Sequence, residues 1–394
     1  MKASRASSPA VEALPYSSIM SMRRFAIFSL AAILISPAGA SAAVKPGDVC
    51  KKVGTTSTVK NVKYTCIKSG KKLVWNSGVK IPIPKASPST QSSATDFKFI
   101  SFSALAENSS KIPSVAYALS QKLITTEPIN TPDVQYFFGP NTKPIDVNYK
   151  ETFALGYKFF GNYPQPKNIT MLFYNFQDRS WAEGKFTEIT KDPNVERISK
   201  NCQNKEQCGG GDALPMGLGI GHINFGSEKA GPSTQMGVIE LHEYFHLIQW
   251  GLNQTPPNMV RMDLVPCWLR EGQAHFFGHV AAIRDFPTYL SLTNDLVRAN
   301  LQPWTTYSAP TIEKFLDTSC DGPAYGHSYD VGFFAVEALA AFAGPDSTIQ
   351  LTKMITAGTP FENSFEKIYG KSWLAAKKDL SLAIAEQFVK GHRA

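Results

Sequence analysis

The run Val238-Ile239-Glu240-Leu241-His242-Glu243-Tyr244-Phe245-His246-Leu247-Ile248-Gln249-Trp250 constrains this chain more than any other stretch. Apolar side chains at 238, 239, 241, 245, 247, 248 and 250 leave almost no polar face once the segment is helical. A helix of that kind lies buried inside its fold. Two histidines and a glutamate in such a helix are costly unless they are paired, hydrogen-bonded or metal-bound. The chain is long enough to surround it. Its 394 residues, 43% hydrophobic and 18% charged, have ordinary globular composition and suffice for one large domain plus a small module. No fixed-period repeat is present.

His242 and His246 are four residues apart, so a helix puts both imidazoles on one face, where they reach one ion, and sets Glu243 beside the open position. His-Glu-x-x-His on a helix is a zinc-site spacing. A five-residue match also arises by chance, and a second segment decides between the readings. Trp268-Leu269-Arg270-Glu271-Gly272-Gln273-Ala274 follows, with 24 residues between His246 and Glu271. The two segments together resemble the gluzincin superfamily of zinc peptidases, thermolysin-like and aminopeptidase-like, over roughly residues 216–339. The resemblance implies Glu271 as the third metal ligand, zinc as the metal and Glu243 as the base that activates water. Three protein ligands leave a fourth position open, which marks a catalytic site. Tyr329-Asp330-Val331-Gly332 is similar to a Tyr-x-x-Gly of the aminopeptidase-like members, which implies Tyr329 as the oxyanion donor. Tyr325 and His327 are its rivals for that role.

The chain departs from both named families. The spacer before Glu271 is stretched by a loop holding Pro256-Pro257 and ending at Cys267, and no Gly-x-Met-x-Asn segment is present. His275 stands where a thermolysin-like protein carries an aspartate, so the group that orients the metal-binding histidines is not visible in the sequence.

The N-terminal residues 1–42 read as a leader and secretory signal. Arg23 and Arg24 precede the apolar run Phe25–Ile35, Pro37 breaks it, and Ala38, Ala40 and Ala42 offer cleavage sites. Met20 or Met22 is an alternative start. The run is too short for a membrane anchor, and no transmembrane anchor is expected after cleavage. Residues 43–76 read as a small basic module with short strands at Val59–Tyr64 and Lys72–Trp75 and turns at Gly54 and Gly70. Its pattern Gly47…Cys50…Gly54…Tyr64-x-Cys66…Leu73-Val74-Trp75 resembles small cysteine-paired modules at the N-termini of secreted actinobacterial proteins. Residues 77–96, rich in Pro, Ser and Thr, read as a linker.

Residues 97–394 read as one large domain. Expected elements are helices at 148–161 and 180–190, strands at 168–174 and 216–225, and a Gly-rich loop at 202–211. A helix then starts near Ser233, and the rest is mainly helical: 268–283, 288–299, 312–316, 329–342, 348–355, 361–369 and 374–389. This is an α+β class. With the resemblance, it implies a two-lobed zincin-like metallopeptidase domain: a small sheet plus the active-site helix, then a mainly helical C-terminal lobe. The strand Leu218–Phe225 is expected to be the edge that takes an extended peptide, with His222 and Asn224 either touching substrate or simply facing solvent.

Cys50, Cys66, Cys202, Cys208, Cys267 and Cys320 form an even set in an exported chain, which favours disulfides over a cysteine metal site, since no CxxC pair occurs. Of 15 pairings, locality favours 50–66, 202–208 and 267–320. The last would staple the start of the Glu271 helix to the loop before Tyr329.

The expected function is a secreted zinc-dependent peptidase acting on peptide or protein substrates. The competing reading is a non-catalytic surface-binding protein with a degenerate peptidase domain, and intact Glu243 argues against it. Residues 45–85 carry ten lysines and one acid, Asp48, against a net +8 for the whole chain. The basic character thus belongs to the module, which suits anionic cell-wall polymers or a plain solvated face. Nucleic acid is not an expected partner, because the large domain is near neutral and the chain carries an export signal.

Overall fold

The computed structural model describes residues 45–59, 62–80, 97–124, 131–143, 149–215, 220–227, 235–252, 261–300, 307–322 and 325–389. The expected signal segment, most of the expected linker, Leu218, Ser233 and Pro256-Pro257 lie outside them. Two compact units are present, residues 1–89 and 90–394.

In the first unit, β1 (Thr56–Val59), β2 (Val62–Ser69), β3 (Lys72–Trp75) and β4 (Val79–Lys80) form antiparallel pairs around β2. Val59 faces Val62 in register, so the alternating run at 59–64 belongs to two strands and not to one. Ser69 faces Lys72 across Gly70-Lys71, and Gly70 has φ 61, the backbone a two-residue hairpin loop requires. Cys50 and Cys66 are bridged and buried. So small a unit has little apolar core, and a bridge closing a loop of this length adds about 3 kcal/mol.

The second unit is built on a four-stranded sheet. β5 (Asp133–Phe138), β6 (Asn168–Tyr174), β7 (Gly209–Pro215) and β8 (Ile220–Ser227) lie in the order β5-β6-β8-β7. The first two pairings are parallel and β7–β8 is antiparallel. Alternation along β6 explains why both faces are covered. Ile169, Met171 and Phe173 enter the main core, whereas Leu172 and Tyr174 enter a second cluster. That cluster is closed by Ala182 and Phe186 of α4 (Arg179–Thr190), Ile198 of α5 (Glu196–Asn201) and the Cys202–Cys208 bridge.

The edge strands are β5 and β7, with β7 on the side of β8, and β8, expected at the edge, is interior. The Gly-rich stretch expected as a loop supplies that edge. Glycine gives no side-chain alternation to read, and the strand is held by its ladder to β8 and by the adjoining disulfide.

Before β5, the helices α1 (Ser103–Glu107) and α2 (Ile112–Gln121) bury Leu105, Ile112, Val115 and Ala116 in the main core. Helix α3 (Tyr149–Phe159) precedes β6. After the sheet come α6 (Val238–Gly251), α7 (Cys267–Ala282), α8 (Phe286–Asn300), α9 (Ala309–Leu316), α10 (His327–Ala343), α11 (Pro345–Thr356), α12 (Phe361–Tyr369) and α13 (Trp373–Val389). One continuous apolar core runs from Phe99 to Phe388 and joins the sheet side to the helical side. The architecture is thus mixed α+β. Among the described residues, no helix is long and apolar enough to cross a membrane.

Helix α6 sits at the centre, as its sequence requires, and begins at Val238 behind Gly237 in left-handed backbone (φ 81). Two glycines of α7 set the helix crossings. A Cβ on Gly278 would lie 2.8 Å from the Val238 carbonyl oxygen of α6, and one on Gly272 would lie 2.3 Å from the Gly332 backbone of α10. Helix α7 is thereby pressed between α6 and α10. The Cys267–Cys320 bridge ties its first residue to the loop before α10.

Candidate metal centre

Residues four apart on α6 bring His242 and His246 together, with 3.2 Å between their Nε2 atoms. Glu271, one turn into α7, reaches across the crossing set by Gly278. Its Oε2 lies 3.7 Å from His242 Nε2 and 3.3 Å from His246 Nε2. These three atoms converge on one point. Donors held about 2.0–2.1 Å from a tetrahedral zinc would stand about 3.3 Å apart, so the observed spacings match a single four-coordinate ion. His242 and Glu271 are buried and His246 nearly so, and the group can hold a metal.

The remaining contacts restrain Glu271. Arg270 Nε donates to Glu271 Oε1 at 3.0 Å, which leaves Oε2 for the histidines. The Tyr325 hydroxyl is hydrogen-bonded to the same carboxylate and stands 2.8 Å from the Tyr329 hydroxyl. Because Tyr325 donates to Glu271, Tyr329 donates to Tyr325. The Tyr329 ring stacks on His242, with centroids 5.8 Å apart and 22° between planes.

Glu243 lies between α6 and the edge strand. Its Oε1 is 4.0 Å from His242 Nε2, and the Ala213 N–H of β7 donates to its carboxylate. Gly211 is the residue that lets β7 pass, since a Cβ there would meet Glu243 Cγ at 2.5 Å. On the same strand both carboxylate oxygens of Asp212 accept from Arg197 Nη1 at 3.1 Å, and Asp212 adds negative charge near Glu243.

Burial pushes the Glu243 carboxyl up to about 8, helped by Asp212 and Glu271. Burial pulls His246 down, but Glu271 and Glu243 outweigh it and hold its pKa up at about 9. Burial drives His242 down. Burial would raise Glu271, yet the two histidines overcome it and keep its carboxyl well below the usual range. The centre opens into a cleft of about 760 Å³ whose walls include β7, α6, α7 and the Tyr325–Tyr329 segment.

Comparison of the chain with protein-family models, with curated proteins and with solved structures finds no match.

The residues singled out from the sequence do not all meet. His242, Glu243, His246, Glu271, Tyr329 and its rival Tyr325 all line the cleft. His327 does not. It opens α10 with its ring stacked on Phe315, centroids 4.0 Å apart, and near Tyr307, away from the cleft. Tyr329 is two residues on, and a helix turns such neighbours to different sides. The backbones of His222 and Asn224 lie on interior β8, opposite Leu214 and Asp212.

Four contributors went unseen in the sequence. Asp212 and Ala213 fall between the expected loop at 202–211 and the expected strand at 216–225, in a stretch assigned to no element. Arg270 is the variable position of Trp-Leu-x-Glu. Gln249, three residues after His246 and so on the same helical face, is hydrogen-bonded to its ring. That i, i+3 spacing was the available signal.

Proposed function

We propose that the protein is a secreted zinc-dependent peptidase of divergent gluzincin type, with a zincin-like fold. The observation that carries this reading is the convergence of His242 Nε2, His246 Nε2 and Glu271 Oε2 at spacings of 3.2–3.7 Å, with Glu243 immediately beside them and not among them. That arrangement separates three ligands from one base. A zinc ion held there supplies Lewis acidity, lowers the pKa of a water molecule and favours the ionised form of a nearby carboxyl. Glu243, ionised, takes the proton of the attacking water and passes it to the leaving amine. Tyr329 turns its hydroxyl from Tyr325 to the developing oxyanion. An extended peptide lies along the open edge of β7, the strand whose Ala213 N–H already orients Glu243.

Export accords with three disulfides among the described residues, paired as locality in the sequence favours. The lysines at 45, 51, 52, 63, 68, 71 and 72 of the small unit are exposed, and we assign that unit an electrostatic tether to anionic wall polymers.

Hydrolysis of a casein-type substrate tests the enzyme reading. The native protein should cleave it, and Glu243→Gln, which leaves all three ligands in place, should retain metal and lose cleavage by at least about 100-fold. Equal rates in the two proteins would refute the assignment of Glu243. Metal in both and cleavage in neither, across a peptide library, would favour the non-catalytic surface-binding reading.

A further inference from the structure

Behind His246, on the side away from the three ligand atoms, lies a fully buried chain of amides. His246 Nδ1 is 2.7 Å from Gln249 Oε1. Gln249 Nε2 is 3.0 Å from the Arg270 carbonyl oxygen and 2.8 Å from Gln273 Oε1. Gln273 Nε2 donates to the Thr348 carbonyl at 2.7 Å, and Thr352 Oγ1 donates to Gln273 Oε1 at 2.8 Å. Gln249, Gln273, Thr348 and Thr352 are each 0% exposed.

Side-chain amides can be turned end for end, so the direction of this chain needs an argument. Two backbone carbonyls provide it, because a carbonyl oxygen only accepts. The Thr348 carbonyl requires the NH2 of Gln273 to face it, which turns Gln273 Oε1 toward Gln249. The Arg270 carbonyl then requires the NH2 of Gln249, and so does Gln273 Oε1. Reversing Gln249 would press its oxygen against two other oxygens with no water to relieve them, a cost of about 1–3 kcal/mol for each buried group left unpaired. Gln249 Oε1 therefore faces His246 and can only accept, and the proton of His246 must sit on Nδ1.

We infer that Gln249 is a positioning residue that locks His246 in the Nδ1–H form and so presents the Nε2 lone pair to the metal. Gln273, Thr348 and Thr352 hold Gln249 in its working direction. A metal-ligating histidine is ordinarily oriented by a carboxylate, a backbone carbonyl or water. Here a neutral amide does it, and the amide is anchored through α7 to α11. This fills the gap left by His275, which occupies the position where the thermolysin-like pattern has its aspartate. The lock rests on the metal-centre reading for its purpose, but its geometry stands apart from it.

The test is the nitrogen-15 spectrum of the imidazoles, with His246 assigned from His246→Asn, together with zinc affinity by chelator competition. In the zinc-loaded native protein, His246 should carry the metal on Nε2 and an exchange-protected proton on Nδ1. Gln249→Met keeps the length and removes both polar ends. It should bind zinc about 10–100-fold more weakly and lose the protection of that proton. A purely structural role would lower the melting temperature without moving either readout. Metal on Nδ1 of the native protein, or unchanged affinity and protection in Gln249→Met, overturns the inference. Should Gln249→Met fail to fold, the native spectrum decides alone. Should the native protein take up no metal, the metal reading fails, and this one is decided by the metal-free spectrum at a pH where the imidazole is neutral. A proton on Nδ1 supports it there, and a proton on Nε2 overturns it.

Discussion

At the scale of single residues, the centre is a balance of burial against opposite charge. His246 keeps its proton up to about pH 9 in the metal-free protein because Glu271 and Glu243 stand against it, although burial alone would strip it. A metal can take His246 Nε2 only after the proton on it has gone. Metal affinity should therefore rise about tenfold per pH unit through the neutral range and flatten above about pH 9, the reverse of what a depressed histidine would give. Chelator competition between pH 6.5 and 9.5 measures this, and a flat profile across that range would contradict the charge arrangement. The candidate ligands His242 and His246 were legible in the sequence because helix geometry converts their spacing directly into a shared face, and Glu271 only through the resemblance carried by Trp268-Leu269-Arg270-Glu271. Their companions were not: Asp212 and Ala213 act from strand β7, whose distance in sequence carries no such rule, and Arg270 occupies the variable position beside Glu271. His327 and Tyr329 show the same limit from the other side. Both lie near the start of one helix, and only packing decides that the tyrosine faces the cleft while the histidine stacks on Phe315.

At the scale of elements, two glycines near the centre do what side chains cannot. Gly211 lets the edge strand cross Glu243, and a Cβ there would meet Cγ, a position near the backbone and not a flexible tip. Gly211→Ala should displace the carboxylate by a few tenths of an ångström or more and reduce cleavage by up to about 100-fold, with zinc content unchanged. Activity equal to the native protein would show that Glu243 is not held by β7. Gly272 meets backbone of α10 at 2.3 Å, so Gly272→Ala should cost about 1–3 kcal/mol of stability. Gly184, exposed in the interior of α4 with nothing near its missing Cβ, should behave oppositely, and Gly184→Ala should gain about 0.5–1 kcal/mol. Denaturant unfolding of the two variants checks both signs. The long helices were readable from their periodicity: 361–369 is as expected and 268–283 shifts by a single residue. Strand β7 was not, because three consecutive glycines erase alternation. Helices α1 and α2 and strand β5 were not among the expected elements either. They are fixed by packing of α1 on α13 and of α2 on α10, and by the parallel ladder of β5 to β6, interactions distant in sequence.

At the scale of the whole molecule, the chain is two compact units with different physics. The first is small, basic and bridged at Cys50–Cys66, and the second has a large main core, a smaller cluster on the other face of its sheet and two bridges of its own. Removing residues 45–85 should leave the cleavage rate and melting of the large unit within experimental error and abolish salt-sensitive retention on anionic wall material. Unchanged retention would remove the tether assignment without touching the enzyme. The α+β class followed from pattern and composition, because a buried helix cannot do without a core around it. The central claim is that His242, His246 and Glu271 together hold one catalytic zinc, and elemental analysis of the purified native protein beside Glu271→Ala tests it most directly. One zinc per chain in the native protein and less than about a tenth of that in Glu271→Ala at the same free zinc is the expected result. No metal in the native protein, or equal zinc in both, would contradict it.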